Sequence, residues 1–283
     1  MTELVRVTRG VWRPRLVVAD LAGRVAALLT VYPDDTVVCG LTAARLHGLW
    51  LPSDAQRAEE LIELIIHPGV PMPSRRTASH RTRVRARRQM LRPDEVVRLD
   101  GIPVTSEART WLDLAACLQL PDLVAAGDCA LRGSATPQQL ELLVRRAVHR
   151  RGVVNARAAL ALLDGRSRSR PESHLRYALV SRGLPKPEVN EPILSEYGEW
   201  LAEPDLSYED VRLALEYNGA DHADTARMRR DLTRGVDISF AGWRTETFGP
   251  TEVFKRPDQI AALVRQLRRE RTGARRIDLA TTR

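Results

Sequence analysis

The chain predicts an α+β N-terminal region of winged helix-turn-helix type, a helical connector, and a C-terminal α/β domain with a central mixed sheet flanked by helices. Three observations lead there. Two short helical patterns followed by two strand patterns fill the first hundred residues, an order consistent with a winged helix. From residue 172 onward, helical and strand segments alternate, as in α/β proteins. Between these halves, residues 165–170 form a Gly/Ser/Arg run that reads as a linker. The expected domains are therefore 1–105, 106–165 and 166–283. With 283 residues, 43% of them apolar, the chain is long enough for two domains with cores.

The elements follow in order. Residues 15–30 carry a helical apolar pattern through Leu16, Val17, Leu21, Val25 and Leu28. Thr42 is placed to cap a short helix, 43–47, which Gly48 ends. Residues 61–67 read as a strand; Pro68, Gly69, Pro71 and Pro73 interrupt it, and 78–87 read as a second strand. The stretch 106–164 is helical. Ser106 caps a helix over 107–118, and Thr136, with Pro137 and Gln139 after it, forms a capping-box start. The C-terminal half then predicts a helix (172–182), a strand (190–196), a hairpin (199–217), a helix (222–235), a strand (243–248) and a helix (257–270).

Charge points to a polyanionic partner. The net charge is +8 and the isoelectric point about 10.1. Residues 75–92 hold eight arginines (75, 76, 81, 83, 85, 87, 88 and 92) without one acidic residue. On the wing of a winged helix such a run would track DNA phosphates; otherwise it is a solvated basic strand. The short helix adds Arg45 and His47 as groove-facing candidates. Cys39, Cys117 and Cys129 form no CxxC pair, which fits a reducing cytoplasm. No run of about 18 apolar residues and no apolar leader is present, so a soluble protein without a membrane partner is expected.

The C-terminal hairpin carries carboxylates on one face. Val211, Leu213 and Leu215 point one way; Arg212, Ala214, Glu216 and Asn218 point the other. If Glu209 and Asp210 form a two-residue turn, Tyr208 faces Val211 and Asp205 faces Ala214. Asp205 is then the diagonal neighbour of Glu216, with Cβ atoms roughly 7 Å apart or less. Two such carboxylates repel unless a cation lies between them, and a divalent metal is the simplest one. Glu172, in the first turn of its helix, either complements the helix dipole or reaches that pair as a third acid.

The ordered set Pro171-Glu172-Ser173-His174-Leu175-Arg176, Pro204-Asp205, Glu216-Tyr217-Asn218-Gly219, His222, Arg230-Asp231-Leu232-Thr233-Arg234 and Gly242-Trp243-Arg244 resembles a domain related to very-short-patch-repair endonucleases, within the PD-(D/E)XK nuclease superfamily. The resemblance covers about residues 167–270. It implies a nuclease-like fold, Asp205 and Glu216 as ligands of Mg2+ or Mn2+, and Glu172 as an accessory acid. Many members of the superfamily carry a lysine where this chain has Asn218; an amide orients water but adds no charge. His222 is either an acid/base group or a helix-start cap. Arg230, Asp231 and Arg234 either orient the acidic site or form a surface face. Separately, Leu41-Thr42-Ala43-Ala44-Arg45-Leu46-His47-Gly48-Leu49 and the stretch from Gly101 through Trp111 to Leu114 resemble AbiEi-type antitoxins. That likeness, over about 15–165, implies DNA binding and leaves a toxin partner open. The expected function is a DNA-binding, Mg2+-dependent endonuclease. Its rivals are an antitoxin or regulator whose nuclease fold is silent and, more weakly, a nuclease acting on RNA.

Overall fold

The computed structural model describes residues 4–8, 11–14, 20–57, 61–71, 83–219 and 241–281. The chain divides into two compact units, Met1–Ala161 and Leu162–Arg283. Among the described residues no helix is long and apolar enough to cross a membrane.

In the first unit, β1 (Leu4–Thr8) and β2 (Val11–Pro14) pair antiparallel. Helix α1 (Leu21–Leu29) begins at Asp20, whose carboxylate accepts the Gly23 amide at 2.8 Å. Then come β3 (Val37–Val38), α2 (Gly40–Leu46), α3 (Ser53–Arg57), β4 (Leu61–Ile66), β5 (Arg83–Arg88), β6 (Val96–Leu99) and β7 (Ile102–Thr105). They build a five-stranded sheet ordered β5-β4-β3-β7-β6. Val25 and Leu28 of α1 pack against Val38, Ile62, Leu64 and Val104 of the sheet. Beyond it lie α4 (Glu107–Leu114), α5 (Leu120–Arg132), α6 (Pro137–Arg146) and α7 (Val153–Leu160). Trp111 is fully buried among them, and its indole N–H donates to the Leu123 carbonyl at 2.9 Å.

The expected caps at Ser106 and Thr136 are present. Ser106 accepts from the Arg109 amide, and Thr136 and Gln139 exchange the two bonds of a capping box at 3.2 and 2.9 Å. Thr42 is not a cap. It sits inside α2, donating to the Leu61 carbonyl at 3.2 Å and accepting the Glu63 amide at 3.0 Å, so it rivets the helix to β4. The cap comes from Glu63 instead, whose carboxylate accepts the Leu41 amide at 2.7 Å.

The two strands expected to make a wing do not form a hairpin. β4 and β5 run parallel, from Leu61 beside Arg83 to Ile66 beside Arg88. The physical reason is burial: β4 is buried from Ile62 to Ile66, and both of its flanks are paired. An apolar strand covered on both faces belongs inside a sheet, whereas a wing has one wet face. The hairpin of this region comes later, as β6–β7 around Asp100 and Gly101, both at positive φ. Asp-Gly is the dipeptide such a tight turn prefers.

In the second unit, α8 (Arg170–Val180) precedes β8 (Glu188–Val189), a small β9–β10 hairpin (Ile193–Leu194, Trp200–Ala202), β11 (Leu206–Tyr208), β12 (Leu213–Tyr217), β13 (Arg244–Phe248), α9 (Pro250–Lys255) and α10 (Pro257–Thr281). The sheet is ordered β13-β12-β11-β8; β12–β13 is parallel, and the other two pairs are antiparallel. One face, with Leu206, Leu213 and Leu215, packs against Leu175 and Leu179 of α8 and Val264 and Leu267 of α10.

The central hairpin differs from expectation at its turn. Tyr208 faces Leu213, not Val211, because Glu209–Val211 form a 3-10 turn and Arg212 takes a positive φ of 47°. The wider turn lets Val211 enter the core, where it is 2% exposed. The register moves by two residues, so the face each side chain occupies is unchanged. Continued one step past its last pair, this register sets Asp205 opposite Glu216 rather than Ala214.

Candidate functional site

The acidic group of the second unit is built from a helix start, a loop and two strands. Ser169 caps α8 by accepting the Glu172 amide at 3.3 Å. Glu172 is 6% exposed, and its Oε2 accepts the Arg168 amide at 2.7 Å and the Asn190 side-chain amide at 2.9 Å. Asn190 stands in the left-handed region at φ 49°, which asparagine tolerates better than most residues. Its backbone N–H donates to the Asp205 carbonyl at 3.0 Å, so one residue ties Glu172 to Asp205. The Asp205 carboxylate accepts the Tyr217 amide at 2.7 Å, across the hairpin. Sequence reasoning missed Asn190 and Arg168; the signal for Asn190 was its residue type at a turn between short strands.

Burial pushes the Asp205 carboxyl up to about 6, and the negative charges of Glu172 and Glu216 add to that push. The Tyr217 amide and the Arg168 guanidinium pull the other way. Glu172, Asp205 and Glu216 thus form one electrostatic group. Asn218 is exposed at its edge, where its backbone N–H donates to the Phe248 carbonyl at 2.9 Å. His222, Arg230, Asp231 and Arg234, and the helix expected over 222–235, lie outside the described residues.

The fit of this group to Mg2+ is incomplete. Among the described residues no set of three or more His, Cys, Asp or Glu side chains could hold a metal ion. Glu172 and Asp205 each direct an oxygen at protein N–H donors.

The basic candidates of the first unit separate into two kinds. Arg83, Arg85 and Arg88 are exposed on β5, the edge strand of the sheet among the described residues. Arg87 turns inward: it pairs with Asp113 of α4 at 2.6 Å. Asp113 also receives Arg109 at 3.0 Å and Arg150, and Arg109 reaches Glu95 at 2.7 Å. Arg85 has a looser pair with Glu63 at 3.3 Å. The run is therefore partly neutralised, by acids 22 to 26 residues away along the chain. Arg45 and His47 do not face outward. Arg45 donates to the Leu41 and Leu61 carbonyls, both at 3.2 Å. The His47 side chain is 3% exposed, with Nε2 2.7 Å from the Thr105 carbonyl. Arg75, Arg76 and Arg81 lie outside the described residues.

Residues 36–165, from β3 to just past the end of the first unit, match the AbiEi antitoxin C-terminal domain. The chain belongs to the family of two Mycobacterium tuberculosis relatives, uncharacterized protein MT2308 of strain CDC 1551 / Oshkosh and uncharacterized protein Rv2248 of strain ATCC 25618 / H37Rv. Each is 35% identical over 272 residues, covering 95% of this chain and 94% of the relative. No solved structure matches the chain.

Proposed function

We propose that this protein is a cytoplasmic antitoxin-type regulator that binds DNA and whose C-terminal, nuclease-like acidic group is catalytically silent. The observation that carries this reading is the antitoxin-domain match over 36–165. Antitoxins act with toxins, so a cognate toxin is the expected protein partner. Arg83 and Arg88 of β5 are the described groups best placed for phosphates, because they are exposed and have no carboxylate partner among the described residues. Silence is supported by Asn218 in place of a charged residue and by carboxylate oxygens already bonded to protein amides.

The test is a salt titration of duplex-DNA binding by the full chain. If Arg83 and Arg88, the two exposed arginines of β5 without a described carboxylate partner, each meet a phosphate, Arg83→Ala/Arg88→Ala should flatten the slope of log K against log salt by about 1.8, at roughly 0.9 per phosphate neutralised. An unchanged slope removes β5 from the interface.

One observation favours a second reading, metal-dependent phosphodiester hydrolysis: Asp205 is buried beside the negative charges of Glu172 and Glu216, a crowding that a cation would relieve. That reading requires Mn2+ binding abolished by Glu216→Ala and Mg2+-dependent nicking of plasmid DNA, single-stranded DNA or RNA. The silent reading requires no nicking that depends on Glu216.

A further inference from the structure

A second cationic feature lies in the C-terminal unit and is lined by none of the acidic group's side chains. A cavity of about 460 Å3 opens between α10 and the loop that follows α8. Leu184 and Pro185 give it an apolar wall; Arg265, Arg268 and Arg269 give it a cationic one. The arginines stand at i, i+3 and i+4 on α10, spacing that puts them on one helix face.

Two of the three are held in place by the fold. Arg268 binds both oxygens of Asp210, at 2.9 and 2.7 Å, and its guanidinium lies 4.3 Å over the Tyr208 ring. The Tyr208 hydroxyl in turn donates to the Pro185 carbonyl at 2.9 Å, so the ring locks the arginine and the loop together. Arg265 donates from Nη2 to the Arg182 carbonyl at 2.8 Å, a neutral acceptor, and no described carboxylate pairs with it. Arg269 is exposed and has no partner among the described residues. Among the described residues, three guanidinium groups thus line the cavity, and one of them, that of Arg268, is paired with a carboxylate. A guanidinium has five N–H donors, so these side chains keep donors free for a tetrahedral anion. The cavity, its apolar lining and the fixed guanidinium of Arg268 distinguish this stretch of α10 from an evenly solvated row of arginines.

We propose that this cavity binds the phosphate group of a phosphate ester, with Arg265 and Arg269 as the contacting cations and Arg268 as the fixed one. The ester is either a free nucleotide, whose base or sugar covers the exposed Pro185, or a nucleic-acid strand passing over α10. A volume of this size is within the roughly 300 to 1,000 Å3 typical of small-ligand sites. The proposal rests on none of the groups assigned to DNA in the first unit.

The experiment is isothermal titration of the full chain with ATP and with pyrophosphate, alongside salt-titrated binding of a 20-base-pair duplex. The variants are Arg269→Gln, Arg265→Gln/Arg269→Gln and a control, Arg256→Gln, outside the cavity. If the ester is a nucleotide, ATP binds the parent chain and Arg269→Gln weakens it at least tenfold, while Arg256→Gln changes it less than twofold. If the ester is a nucleic-acid phosphate, ATP fails to bind and the double variant flattens the duplex salt slope by about 1.8, at roughly 0.9 per phosphate neutralised. A parent chain that binds neither ATP nor pyrophosphate and whose duplex salt slope is unchanged in Arg265→Gln/Arg269→Gln overturns the proposal, as does ATP binding that stays within twofold of the parent in that variant. Arg269 has no described partner to lose, so the single variant reads the site without disturbing the fold.

Discussion

Replacing Asp205 by asparagine should stabilise the second unit at neutral pH. Burial, helped by Glu172 and Glu216, raises the folded-state carboxyl from its ordinary 3.8 to about 6. A carboxyl raised on folding contributes stability that is fully present below the unfolded value and is lost as pH rises through the folded one. The window for Asp205 is therefore about pH 4 to 6, and the folded unit is less stable above it. At about 1.4 kcal/mol for each pH unit, the shift corresponds to roughly 3 kcal/mol at pH 7.5. Asparagine cannot ionise, yet its Oδ1 can still accept the Tyr217 amide, which the carboxylate accepts at 2.7 Å. A neutral acceptor is weaker than a charged one, which lowers the expected gain to about 2 kcal/mol. That corresponds to a rise of roughly 8 °C in the midpoint of a unit of this size. Scanning calorimetry of parent and Asp205→Asn from pH 4 to 7.5 reads it directly, because the two units allow two transitions. The parent's second-unit midpoint should fall between pH 4 and 6 while the variant's stays flatter. A variant that follows the parent at every pH, or is less stable at pH 7.5, refutes the reasoning.

Three further outcomes follow from the packing. Arg87→Ala should destabilise the first unit by about 1 to 2 kcal/mol in urea, since it removes a partly exposed partner of buried Asp113, whereas Arg83→Ala should change it by less than about 0.5; equal effects would contradict the inward assignment of Arg87. Gly40→Ala should cost about 2 to 4 kcal/mol, combining strained backbone with loss of the α2 cap. The residue sits at φ 59°, and a Cβ there would come within 2.3 Å of Glu63 Oε2; Gly48, at φ 70° with open space around it, is the control and should lose far less to alanine by the same urea measurement. Asn190→Ala should cost about 2 kcal/mol in the second unit, and Asn190→Gly about 1 less, because glycine restores the left-handed backbone but not the amide bond to Glu172; identical losses would show that the backbone conformation contributes nothing.

What could be read from the chain without its fold was whatever depends on neighbours a few residues away. The caps at Ser106 and Thr136 are bonds to the third residue on, so the local order of residue types announces them. The two faces of the hairpin are legible for a similar reason: side chains alternate with period two, and the observed turn is wider than the expected one by an even number of residues, which leaves Asp205 and Glu216 on one face. The turn itself depends on Val211 finding a place in the core, a tertiary event. Strand direction is not legible either. Nothing within 61–88 distinguishes a hairpin from a parallel pair except how much of β4 is covered, and that is decided by β3 and the flanking helices. The same holds for charge. As sequence, the eight arginines of 75–92 are one run; in the fold, Arg87 belongs to Asp113 and Arg85 to Glu63, while Arg45 bonds to backbone carbonyls. A side chain's charge is written in the sequence, but which charge opposes it depends on which distant strand or helix the fold brings alongside. For Asp205 those neighbours, Glu172 and Glu216, together with its own burial, also decide how readily it ionises.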